Sequence, residues 1–198
     1  SKEEIKSFCA DNDIRSFVSS QVYSWIWNKS CSSFSDMSNV SLEDRSKFDK
    51  EFFINSLDVD VEEESSDGTI KTKFKLHDGN FVEGVLIPKN KRMTACISSQ
   101  VGCSLSCSFC ATGTLGLTRN LSASEIYRQV VYISKKCLEV HNQPLTNIVF
   151  MGMGEPLLNY KNVLRSIHFI TSEEGLNMSY KRITLSTSGI SKMIRKLI

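Results

Sequence analysis

No apolar run among the 198 residues is long enough to cross a bilayer, which excludes a membrane-spanning helix. The first residues, Ser1-Lys2-Glu3-Glu4, carry none of the features of a secretory signal. Only three histidines occur, His77, His141 and His168, and their separations match no ligand spacing, so a histidine-built metal site is not expected. Cysteine is modest and odd in number, seven in all, and clustered rather than paired, which argues against a disulfide frame and for metal work. Cys9, Cys31 and Cys137 read as ordinary thiols, Cys137 on a helix face. With 40% apolar and 23% charged residues the composition is that of a soluble globular protein with one ordinary domain or two small ones. A reducing compartment is expected, the cytoplasm first and an organelle as the alternative, with no membrane partner and a monomeric state.

The net charge of +2 conceals an asymmetry. Residues 36–67 hold eleven acidic and three basic side chains, whereas residues 85–136 hold seven basic and one acidic. A positive field over the second stretch would favour a polyanion such as RNA or an anionic cofactor, against the plainer reading of lysines on a solvated face.

Along the chain the apolar period changes twice. Ile14, Phe17, Val18, Val22, Trp25 and Ile26 recur at helical spacing, and Ser41 with Asp44 starts a helix carrying Phe48, Phe52 and Phe53. These aromatics read as core rather than as a base-stacking surface. Residues 1–57 are therefore expected to form a small helical domain. Residues 58–91 are expected to be a β-hairpin connector: Ile70, Thr72, Phe74 and Leu76 alternate with lysines, Asp78-Gly79 makes a turn, and Phe81 to Ile87 returns. The acidic stretch 58–67 ahead of it reads as a surface loop or strand edge. From residue 92 to 198 strands and helices alternate, with strands expected at 93–98, 147–152 and 182–187 and helices at 122–140, 159–171 and 190–198. The fold class is α/β, with three βα units of a parallel barrel. Ser122 and Glu125 form a capping box for the first of those helices, whose buried face is Ile126, Val130, Ile133 and Cys137. Asn159 is expected to cap the second.

The chemistry-bearing segment is Cys103-Ser104-Leu105-Ser106-Cys107-Ser108-Phe109-Cys110, opened by Gly102. Three thiolates so close can grip one soft metal centre. A structural zinc site closes its tetrahedron with four protein ligands, whereas a 4Fe-4S cube held by three cysteines leaves one iron open. No fourth Cys or His follows in the loop. The strand expected at 147–152 ends in Gly152-Met153-Gly154-Glu155-Pro156, at the carboxyl edge where parallel sheets place ligands. Glycines there admit close approach, and Glu155 can accept from an ammonium. The next strand ends Leu185-Ser186-Thr187-Ser188-Gly189, with Ser186 either a ligand or a helix cap. Arg119, Lys89, Lys91 and Arg92 could hold phosphate or simply be solvated.

Taken together, residues 94–103, Phe109-Cys110-Ala111-Thr112-Gly113, Arg119-Asn120-Leu121, residues 151–158 and residues 184–189 resemble the radical S-adenosylmethionine (SAM) RNA methyltransferases that act on adenine carbon 2, the RlmN kind, and their relatives that act on carbon 8. The resemblance runs from about Glu83 to the last residue and extends more loosely over the helical start. It implies a partial radical SAM barrel, a 4Fe-4S cluster with SAM as cofactors, and methylation of an adenosine in large-subunit ribosomal RNA, with some members also acting on transfer RNA. An electron donor such as flavodoxin or ferredoxin is implied as well. In that family a methylated cysteine supplies the carbon radical that adds to the ring. Carried over by position, Cys103, Cys107 and Cys110 hold the cluster, Gly154, Glu155 and Ser186 contact SAM, Glu83 is the proton acceptor, and Cys96 is the thiol that resolves the protein-RNA adduct. Read without the resemblance, Glu83 is an exposed strand glutamate and Cys96 a small buried hydrophobe or a fourth cluster ligand. The family's methyl-carrying cysteine is expected beyond the last residue, so this chain is expected to be a fragment and inactive alone. The alternatives are a zinc-stabilised RNA-binding module and a radical SAM enzyme with another substrate.

Overall fold

A computed structural model describes residues 1–197. They form two compact units, one of Ser1–Asn55 with Phe169–Asn177 and one of Ser56–His168 with residues 178–197. No helix among the described residues is long and apolar enough to cross a membrane.

The first unit is built on helices α1 (Lys2–Asp11), α2 (Ser16–Trp27) and α3 (Leu42–Glu51). Ser41 caps α3 by accepting from the Asp44 N–H at 3.1 Å, and its hydroxyl lies 2.7 Å from the Asp44 carboxylate. Aromatic packing centres on Phe48, 1% exposed, whose ring lies 4.9 Å from Phe8 and 5.8 Å from Phe34 between centroids. Trp27 stacks on Phe169 at 3.6 Å. Ile14, Val18 and Val22 are buried as expected, but Phe17 and Phe53 stand in solvent at 53% and 72% exposed. Helix α2 begins only at Ser16, which turns Phe17 outward, and α3 has ended before Phe53.

The second unit carries a six-stranded mixed sheet. Strands β1 (Asp58–Glu64), β2 (Ile70–Lys75), β3 (Phe81–Lys89) and β4 (Arg92–Cys96) run antiparallel in sequence order, and β7 (Asn147–Phe150) and β8 (Ile183–Leu185) follow parallel to β4. The acidic stretch is thus an edge strand rather than a loop, held by pairing with the lysine-rich β2, where Lys73 meets Asp60 at 2.6 Å. The hairpin strands are continuous with the parallel part of the sheet through the β3–β4 pairing.

Helix α4 (Ala123–His141) follows β4, α5 (Tyr160–Thr171) follows β7, and α6 (Ser191–Leu197) follows β8, giving three βα units. The capping box on α4 forms as read, Ser122 accepting from the Glu125 N–H and the Glu125 carboxylate accepting from the Ser122 N–H at 2.8 Å. Ile126, Val130, Ile133 and Cys137 are each no more than 1% exposed. Asn159 does not cap α5: it ends a 3-10 turn (Pro156–Asn159), and its amide bridges two loops.

Candidate active site

The carboxyl edge of β4 and β7 is tied together by buried polar groups. Beyond Cys96 the chain bonds to the loop after β7: Gly152 N–H donates to the Ile97 carbonyl at 3.1 Å, and Ser99 N–H to that of Met153 at 2.8 Å. Ser98, fully buried, receives the Met153 N–H at its hydroxyl and donates that hydroxyl to the Glu83 carbonyl at 2.6 Å. Gln129 reaches from α4 to both backbone groups of Ser98, and Asn159 donates to the carbonyls of Ser99 and Leu121 at 2.8 and 2.7 Å. Every one of these groups is satisfied, as burial requires.

Gly154 sits at φ +93°, and a Cβ there would lie 2.4 Å from that of Gln100, so only glycine fits. Gln100 uses the space, accepting from the Glu155 N–H at 2.8 Å and donating to Asn120 at 2.7 Å. The Glu155 carboxylate, 4% exposed, accepts from the Leu157 N–H at 2.9 Å and from the N–H and hydroxyl of Ser188 at 2.7 and 3.0 Å. A carboxylate can take about four such bonds, which leaves capacity for one further donor. Ser188 thus ties the segment after the third strand to Glu155. Ser186 is exposed and lies five residues before α6, too far to cap it.

The cysteine loop is held at its base by a second ribbon, β5 (Gln100–Gly102) with β6 (Leu117–Asn120). Gly102, at φ +74°, lets Cys103 N–H bond to the Gly116 carbonyl at 2.9 Å, since a Cβ at Gly102 would collide with that carbonyl. The Cys103 thiol is buried and accepts from the Leu105 N–H at 3.4 Å. Cys107 and Cys110 are half-buried. The N–H of Gly113, with those of Thr112, holds the Cys110 thiol below its ordinary pKa. Among the described residues no group of three or more Cys, His, Asp or Glu side chains is arranged to hold a metal ion.

Two further expectations meet on one face of the sheet. Val82, Gly84 and Leu86 of β3 and Met93 and Ala95 of β4 are buried, so Glu83, Val85 and Cys96 project to the opposite side, with Cys96 paired to Val85. Glu83 is half-exposed and pairs with Lys71 at 2.7 Å. Burial raises the Cys96 thiol pKa, against an opposing bond with the Met151 backbone.

Arg119 is not available to phosphate. Its guanidinium grips Glu125 bidentately at 2.8 and 3.0 Å and reaches Asp78 at 2.5 Å. Burial alone would raise the Glu125 pKa, but the bonds from Arg119 and Ser122 outweigh it and hold the carboxyl below 4.5. The stabilisation is then present above pH 4.5 and lost as pH falls through the lower folded value. Arg119→Met should cost about 3 kcal/mol, the low end for a broken buried pair because Ser122 still bonds Glu125, and should flatten the acid limb of stability. Urea unfolding between pH 3 and 7 measures both.

The parallel part of the sheet, with a glycine-framed buried carboxylate and a three-cysteine loop at its carboxyl edge, defines a cofactor-binding α/β enzyme scaffold. The chain belongs to the radical SAM superfamily, whose family model matches residues 97–198, while residues 1–54 match the ribosomal RNA large subunit methyltransferase N-terminal domain. It is 55% identical over 197 residues to the "Probable dual-specificity RNA methyltransferase RlmN" of Flavobacterium johnsoniae, covering 100% of this chain and 56% of that protein. Identity to the protein of the same description from Cytophaga hutchinsonii is 57% over 197 residues, covering 100% of this chain and 54% of that one. A radical SAM methyltransferase structure from Sphaerobacter thermophilus superimposes with a TM-score of 0.90 at 37% identity, over 100% of this chain and 58% of that chain. The chain thus spans a little over half the length of the relatives it matches.

The cofactors of this family are a 4Fe-4S cluster and SAM. The donor set fits them: three uncrosslinked thiols on one loop, that of Cys103 accepting the Leu105 N–H and that of Cys110 held below its ordinary pKa, both of which suit anionic sulfur.

Proposed function

We propose that the chain serves a radical SAM methyltransferase that acts on adenosine carbon 2 of large-subunit ribosomal RNA and on transfer RNA. The observation that carries this is the gathering of the cysteine loop, the Gly154–Glu155 turn and Ser188 at one sheet edge. The RlmN descriptions of relatives at 55% and 57% identity supply the substrate class. Cys103, Cys107 and Cys110 would hold the cluster, which when loaded and reduced supplies a carbon radical from SAM, the reactivity needed at a ring carbon that is not nucleophilic. Glu155 offers its remaining acceptor capacity to the SAM ammonium. Gly154 admits the ligand's close approach, and Ser186, exposed at the same edge, offers a hydroxyl. Glu83 accepts a proton and Cys96 resolves the adduct. An electron donor of the flavodoxin or ferredoxin type, a cytoplasmic location and a monomeric state complete the proposal.

Anaerobic reconstitution followed by iron, sulfide and zinc analysis tests it. Iron and sulfide in equal amounts, with SAM bound, is the expected result, and stoichiometric zinc without sulfide would sink it. Glu155→Gln should then lower SAM affinity by roughly 10- to 150-fold, the loss of a charge-assisted bond of about 1.5 to 3 kcal/mol, without loss of iron. Unchanged SAM affinity by calorimetry would remove Glu155 from the role.

A further inference from the structure

At the amino-terminal edge of the parallel strands, opposite the edge that carries the cysteine loop, lies an open groove of about 590 Å³ lined by Lys89, Asn90, Lys91, Arg92, Thr146, Asn147 and Arg182. Four of the seven lining residues are cations, the other three are hydrogen-bonding, and none is acidic, aromatic or aliphatic. None of the four cations forms an ion pair among the described residues.

The arrangement is unfavourable on its own terms. Lys89 and Arg92 are directly opposed across the β3–β4 turn, and like charges so placed destabilise a hairpin. Lys91 sits in the turn between them, after Asn90 at φ +57°. Thr146 fixes the geometry, its hydroxyl accepting from the Met93 N–H at 2.9 Å and lying 3.0 Å from the Met93 carbonyl, which pins the start of β4 to the start of β7. Arg182 enters from the residue before β8. Repulsion held in a fixed frame without a carboxylate to relieve it suits an anion from outside. A surface with no apolar side chain suits phosphate contacts rather than base stacking or protein docking.

We propose that this groove binds the phosphodiester backbone of RNA, as a positioning site separate from the carboxyl edge. The proposal rests on the RNA reading only for the identity of the polyanion. Each cation that contacts a phosphate adds roughly 0.7 to 0.9 to the slope of log affinity against log salt. The experiment measures that slope for a short stem-loop RNA with the unaltered chain, with a groove variant (Lys89→Ala, Lys91→Ala, Arg92→Ala and Arg182→Ala) and with an equal-charge control (Lys6→Ala, Lys50→Ala, Lys135→Ala and Lys161→Ala). Circular dichroism melting checks that each is folded, and the pair Lys91→Ala with Arg182→Ala, outside the opposed couple, serves if the fourfold variant is not.

The groove variant is expected to lose roughly three from the slope, or about half that for the pair, and the control less than one. RNA binding by the unaltered chain with equal slopes in groove variant and control would overturn the groove while leaving the RNA reading intact. No RNA binding by the unaltered chain would overturn both. A parallel titration with inorganic phosphate separates the sources: phosphate captured at the groove with RNA affinity untouched by the groove variant would overturn the proposal as well.

Discussion

Replacing Cys103, Cys107 and Cys110 together by alanine should abolish cluster assembly, taking iron and sulfide in the reconstituted protein from stoichiometric to background. Thiolates are the ligands that hold such clusters, and these three are the grouped ones, on a loop clamped by the β5–β6 ribbon. Cys96 lies at the end of β4, and Cys9, Cys31 and Cys137 are buried elsewhere, so none can substitute within the loop. A cluster bonded to all three thiolates would tie residues 103–110 into one unit. A second observable follows: reconstitution should protect residues 103–116 from proteolysis in the unaltered chain and not in the triple variant. Folding should survive, because Cys107 and Cys110 are half-buried and the clamp is backbone-bonded. Absorbance near 400 nm with iron analysis decides the first point. A complete 4Fe-4S cluster in the triple variant would falsify the ligand assignment.

How much of this site the sequence revealed depended on how local each signal was. The Ser122–Glu125 capping box and the Ile126, Val130, Ile133 and Cys137 stripe follow from spacing within one helix, and both formed. The three parallel strands were found but overextended, because pairing, not apolar content, ends them: β8 stops at Leu185, where its partner Phe150 ends β7. Strand β6 went unread, since four residues paired irregularly to a three-residue partner leave no alternating pattern. The tertiary bonds of Gln100, Gln129 and Asn159, the last expected as a helix cap, were illegible for a different reason. Buried amides act through tertiary bonds and have no period. One signal was available for Gln129, a polar residue three positions after Ile126 on the apolar face of α4, where burial demands a partner. Arg119 was read as a free cation because its partners, Asp78 and Glu125, lie 41 and six residues away.

Cys96→Ala should stop turnover at a covalent protein-RNA adduct, in a chain extended to the length of its relatives, while cluster content and SAM cleavage stay normal. Release of the base requires a second thiolate to attack the cysteine sulfur bonded to the RNA carbon. The new bond is a disulfide, the broken bond is sulfur to carbon, and the electron pair leaves with the carbon, which takes a proton to become the methyl group. Cys96 suits this role because it ends β4 on the sheet face shared with Glu83, and its half-burial leaves the sulfur reachable. Burial also raises its thiol pKa above the ordinary 9.0, so only a small fraction is thiolate at neutral pH. Adduct resolution in the unaltered enzyme should therefore speed up about tenfold per pH unit from pH 7 toward 9. Denaturing gel shift with labelled RNA and SAM reads both effects. A fourth cluster ligand would instead lose iron on substitution, and a packing residue would lose only stability. Normal release of methylated RNA by Cys96→Ala would end its assignment as the resolving thiol.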